Sequence, residues 1–262
     1  MATQNKFIFS RSMDMFFQDA AELAQFTVAV IKEGVRPPYE FREVLNQCYE
    51  TGIKSFILVG ITAFILGLVL IMQSRPTLVE FGAGSFLPAM SSVSIVREIG
   101  PLVTALICAG KIGSGISAEL GSMKVTEQID AMEVSGTNPF KFLIATRIMA
   151  TTLMIPVLTL YAILIALTGA FTAASITDQV NIGFFFNRVF DTLKFSDVIP
   201  SFTKTFFFGF AIGLVGCTKG YNSKKGTEGV GKAANASVVI AMLSVIVIDM
   251  VVTRITAMLG YL

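Results

Sequence analysis

The chain contains no histidine. That absence removes Ser-His and Cys-His nucleophilic sites and HExxH zinc peptidases, all of which need an imidazole. Cysteine is scarce: Cys48, Cys108 and Cys217 are odd in number and lack CxxC spacing, so neither a disulfide framework nor a metal site is expected. Two of the three fall in apolar runs, where a free thiol behaves as a small hydrophobe. Charge is scarce as well. Charged residues make up 15% of the 262, against about 25% in ordinary soluble domains. The net charge of +2 is too balanced for a nucleic-acid partner. The first residues lack an apolar h-region and a small-residue cleavage site, so no secretory signal is expected.

What the chain has is apolar residues, 53% of the total, with a mean hydropathy of +0.72. That composition belongs to integral membrane proteins. The run 55–74 carries no charge, and twenty residues at about 1.5 Å each cover about 30 Å, one hydrocarbon thickness. Further spans are expected at about 97–118, 148–174, 198–218 and 233–259, giving an all-α fold of five transmembrane helices in one membrane domain over 55–262. Pro156 is an expected kink. The piece 76–96 holds Pro76, Gly82, Gly84 and Pro88 and reads as a loop or a re-entrant segment. The region 1–54 is polar and mixed. Phe16, Leu23, Phe26 and Val30 recur at roughly helical spacing, which suits an amphipathic interfacial helix or one packed on the spans.

Small residues four apart (Ala109/Gly113, Gly110/Ser114, Ser114/Ala118, and Gly209/Gly213) allow close helix approach. Lys and Arg number thirteen on segments 1–54, 119–147 and 219–232, against four on 75–97 and 175–197. The positive-inside rule then puts the N-terminus in the cytoplasm and the C-terminus outside.

Charges inside an apolar bundle are costly, so they pair, face the interior or line a polar path. Arg97 and Glu98 stand at the expected mouth of span two, Lys204 in span four and Asp249 in span five. Rise per residue puts all four in the outer half, where they either line a path opening outward, with Lys204 and Asp249 paired, or tie the bundle together. Lys111 lies nearer the inner surface and can snorkel. A lone Asp249 deep in an apolar run makes an aspartyl hydrolase, which needs two close carboxylates, a distant reading. On 119–134, Val125, Ile129 and Met132 form an apolar stripe beside an acidic stripe of Glu127, Asp130 and Glu133. Such a helix fits a groove on a soluble partner, or serves as a connector with a solvated face. The run 226–233 nearly spells a P-loop. It follows a membrane span instead of a strand and ends in Ala233 where Ser or Thr must hold magnesium, so no ATP site is expected.

The run 110–133, GKIGSGISAELGSMKVTEQIDAME, resembles the signature of the MlaE/YrbE family, as do Arg97-Glu98-Ile-Gly-Pro101, Asn138-Pro139 and Glu228-Gly-Val-Gly231. The likeness covers roughly 50–262. It implies a homodimeric permease of the bacterial inner membrane, carrying phospholipid with a cytoplasmic ABC ATPase subunit and a periplasmic MCE-domain protein. Its cytoplasmic coupling helix would fall on 119–134, engaging the ATPase through Glu119, Lys124, Glu127, Asp130, Met132 and Glu133. Arg97 and Glu98 carry over by motif as substrate-pathway residues; Lys204 and Asp249 carry over by span placement. Lys111 departs from the family's more usual arginine, keeping the charge without the fork. The alternative from another class is an ion- or proton-coupled carrier that titrates Asp249. A scaffold without flux is a third.

Overall fold

In the computed structural model, which describes residues 26–28, 30, 40–224 and 226–260, every long element is a helix. Helix α1 (Phe41–Glu80) spans 40 residues. Its buried positions Thr51, Ser55, Val59, Ala63, Gly67 and Ile71 repeat every fourth residue. The stripe is made of small and branched side chains, and it lies along helix α6 (Thr146–Asp178). Here the two backbones touch: a Cβ on Gly67 would stand 1.9 Å from the Ala166 carbonyl oxygen, and one on Gly169 2.2 Å from that of Phe64. Association in lipid rests on such packing because the solvent is as apolar as leucine. The opposite face of α1, with Ile57, Ile61 and Met72, is exposed.

The second span is helical over Gly84–Val125. After a short 3-10 turn come α2 (Leu87–Ser94), a π-helical turn (Ile95–Ile99), α3 (Gly100–Cys108), a second π-helical turn (Ala109–Gly113) and α4 (Ser114–Val125). The loop or re-entrant piece expected over 76–96 is therefore helix, apart from a reversal at 81–83 in which Gly82 takes φ 68°. Proline and glycine mislead here for physical reasons. Pro88 sits in the first turn of α2, where its missing N–H would be unpaired in any case. Pro76 lies near the end of α1, which continues past it.

The stretch 119–134 is not one helix. Its first part continues α4, Glu127 turns the chain with φ 59°, and only α5 (Gln128–Val134) is separate. A π-helical turn (Phe140–Ala145) leads into α6, which holds Pro156 inside an unbroken run. The polar segment 175–197 contains an additional helix, α7 (Ile182–Thr192), capped by the Asn181 side chain, which accepts from the Gly183 N–H at 2.9 Å. Phe185 and Val189 anchor it in the core. Helices α8 (Phe195–Tyr221) and α9 (Thr227–Met258) complete, among the described residues, five helices long and apolar enough to cross a membrane.

The small-residue spacings in spans two and four pack within this bundle. Gly209 and Gly213 lie on Thr151 and Ile148 of α6, and Gly216 on the Gly113 carbonyl. Gly113 itself faces Ile212 of α8 and Ala241 of α9. The N-terminal amphipathic segment falls mostly outside the described residues. Of its described part, Phe26 and Val30 are buried, and the Phe26 ring lies 5.3 Å from Phe140 and 6.2 Å from Tyr221.

Candidate functional site

The π-helical turn Ile95–Ile99 starts the site. Pro101 has no N–H to offer the Arg97 carbonyl, and its ring would crowd that carbonyl in a regular helix. The turn ahead of it is widened, with the Gly100 N–H bonding back to the Ile95 carbonyl. Arg97 and Glu98 sit inside this wide turn, well within the helix and not at its mouth as the apolar run alone suggests.

From there the two side chains diverge. Arg97 donates to Asp197 Oδ1 from Nε at 2.9 Å and from a terminal nitrogen at 2.5 Å. The Asp197 side chain is 2% exposed, and its other oxygen accepts from the Lys194 backbone N–H at 3.0 Å, closing the first turn of α8. Glu98 Oε2 accepts from Lys204 Nζ at 2.5 Å, while its Oε1 accepts from the Thr253 hydroxyl at 3.0 Å. Lys204, 3% exposed, also donates to Asp249 Oδ1 at 2.8 Å. The structure thus brings together all four expected pathway residues, with Lys204 and Asp249 paired. Three carboxylates face two cations, leaving one negative charge in excess.

Two spaces adjoin this chain of charges. One, about 30 Å³, is bounded by Arg97, Glu98, Asp197, Ser201 and Lys204, and has room for roughly one water. The other is an open groove of about 660 Å³ along α9. Glu98, Asp249 and Arg254 supply its charges, and Met250, Val251, Ile255 and Met258 its apolar wall. Those four apolar residues are exposed, so the groove has one charged side and one oily side.

Asp197, Thr253 and Arg254 were not singled out by sequence reasoning. Asp197 stands one residue outside the expected span four and reads as loop. The available signal was its place three residues after Lys194, the spacing of a side chain closing a helix start. Arg254 interrupts span five and has no carboxylate partner among the described residues.

At the other end of the bundle lie the expected coupling residues. Glu127, Asp130 and Glu133 are exposed, while Met132 is half-buried and Ile129 is buried against the core. Glu119 and Lys124 turn toward the bundle instead. Glu119 accepts from Arg147 at 2.8 Å, and Lys124 donates to the Tyr221 carbonyl at 2.6 Å. Arg147, 3% exposed and also bonded to the Leu143 carbonyl at 3.0 Å, was expected only as a loop charge; α6 and the turn before it begin earlier than the apolar run indicates.

Comparisons with known proteins agree with this architecture. The family model described as Permease MlaE matches residues 44–255. A probable ABC transporter permease protein of Rickettsia typhi is 32% identical over 239 residues, 91% of this chain and 92% of its own. One from Synechocystis is 30% identical over 236 residues, covering 90% of each chain. The intermembrane phospholipid transport system permease protein MlaE of Haemophilus influenzae is 32% identical over 216 residues, 82% of this chain and 83% of its own. With five apolar helices and this match along most of its length, the chain belongs to the MlaE family of ABC transporter permeases.

Proposed function

We propose that this permease moves phospholipid between the bacterial inner membrane and a periplasmic MCE-domain partner, as a homodimer driven by a cytoplasmic ABC ATPase subunit. The observation that carries the reading is the groove on α9. An amphiphile needs an apolar wall for its acyl chains and fixed charges for its headgroup, and the groove sets Met250, Ile255 and Met258 beside Glu98, Asp249 and Arg254. The exposed apolar face of α9 leaves room for a second copy to close the groove. The name of the Haemophilus influenzae relative, a phospholipid transport permease, supports the cargo. The lysine and arginine bias supports a cytoplasmic N-terminus. The acidic face of α5, projecting from the end with more basic segments, is the surface offered to the ATPase.

A proton-coupled carrier would need Asp249 free to titrate. Asp249 shares the one Lys204 ammonium with Glu98, and what weighs against that reading is the apolar wall of the groove, which a proton does not need. Photocrosslinkers at Met250 and Ile255 are expected to capture phospholipid in membranes. Capture only at Leu160 and Leu164, exposed on α6, would refute the groove as the path.

A further inference from the structure

A further cavity, of about 330 Å³, lies between α1 and the second span near the α5 end. It is separate from the groove on α9. Thirteen residues of helix divide Glu98 from Lys111, about 20 Å at the α-helical rise. Its α1 wall holds Thr51, Lys54 and Ser55; its other wall holds Lys111, Ile116 and Glu119.

The charges here are committed except for one. Lys54 pairs with Glu50 at 2.7 Å, and Glu119 pairs with Arg147 at 2.8 Å. Lys111 touches no carboxylate among the described residues; its ammonium donates only to the Lys54 backbone carbonyl. The cavity therefore carries one surplus positive charge. It also carries one unused hydroxyl. Ser55 is fully buried, and its Oγ has no partner. Thr62, Thr159 and Thr218 spend theirs on the carbonyl one turn back at 2.7 to 2.9 Å; the Ser117 hydroxyl is also buried and open, but it does not line this cavity. A buried hydroxyl left open beside a cation suits a bound acceptor.

Position along the bundle identifies the acceptor. Ser55 opens the uncharged run 55–74, so the cavity sits where polar surface gives way to apolar surface. Lipid phosphates occupy that level. At the same level α1 turns Ile53 and Ile57 outward, a surface against which acyl chains can lie. We propose that this cavity is a second lipid site, holding the phosphodiester of a phospholipid from the leaflet on the α5 side between the Lys111 ammonium and the Ser55 hydroxyl. One phosphodiester brings one negative charge, which matches the one cation in surplus.

The test uses the full chain in vesicles containing a phosphatidylethanolamine with a photoreactive group next to the headgroup. Labelling is expected on peptides flanking Ser55 and Lys111. Lys111→Gln and Ser55→Ala should each lower it, the former about tenfold or more, as expected for losing a charge-assisted hydrogen bond. Lys111→Arg should retain it. Ser55→Ala removes one atom and keeps the fold, so its result stands even if Lys111→Gln fails to assemble. Unchanged labelling in both variants overturns the proposal. Displacement of the label by inorganic phosphate overturns the lipid assignment in favour of a free anion. Labelling here does not depend on transport, so it separates this site from the fate of the groove on α9.

Discussion

Arg97 and Asp197, one hundred residues apart in sequence, form a two-point contact from the widened turn of the second span to the first turn of α8. Asp197→Asn is expected to lower stability by about 2–4 kcal/mol. Removing one partner of a buried pair costs about 3–5 kcal/mol, reduced here because Arg97 is one-third exposed. Thermal unfolding in detergent reads the loss. The double variant with Arg97→Gln should recover part of it, because no uncompensated guanidinium remains.

Lys204 holds Glu98 and Asp249 together. Lys204→Met leaves two carboxylates facing each other at the edge of an apolar bundle, and should abolish lipid transport while reducing thermal stability. Adding Asp249→Asn should restore stability by about 1 kcal/mol or more without restoring transport, since a like-charge conflict is removed but the cation is still missing. Stability and transport that recover together would count against a role in the pathway.

The α1–α6 seam depends on atoms that glycine lacks. Gly67→Ala forces a methyl group into the Ala166 carbonyl, and the helices must part. Overpacking of this kind typically costs about 1–3 kcal/mol, and a backbone neighbour belongs at the upper end. The expected result is a sharp fall in the yield of folded protein on size-exclusion chromatography. Gly115→Ala, at a position with open space around it, is the matched control and should be neutral.

Charge reversal on α5, with Asp130→Lys and Glu133→Lys together, alters exposed residues only. Stability should change by less than about 0.5 kcal/mol. Co-purification of the ATPase subunit should be lost. Glu127→Gly is the informative companion: its left-handed backbone suits glycine, so this variant should be as stable as the parent or more so.

Much of this was legible in the sequence. Uncharged runs announce spans because a bilayer tolerates little else, and intramembrane charges announce a site for the same reason. Similar depth made a pairing of Lys204 with Asp249 one of the expectations, while the shorter contact of Lys204 with Glu98 was not foreseen. Asp197 and Arg147 were missed because hydropathy marks where charge stops, while helices run past that point and carry their end residues back into the bundle. The helical parts of 76–96 were missed because Pro88 is in a first turn, where proline fits, and Pro76 sits one turn before the end of α1, where a lost backbone bond does not stop the helix. The α1–α6 seam was passed over although Ala63/Gly67 and Ala162/Ala166 show the required spacing. Small residues are common in membrane helices, and spacing does not say which stripe finds a partner.

At 40 residues, α1 is about 60 Å long, roughly twice the thickness of a hydrocarbon layer. Its glycines before Pro76, Gly52, Gly60 and Gly67, are each packed against α6, and its far end is tied to α6 by Arg75 and Asp178 at 2.5 to 2.8 Å. A helix clasped along its small-residue stripe in this way resists bending away from α6 in the middle. Any tilt imposed on its projecting end must be delivered across the bilayer to the opposite surface, with α6 carried along.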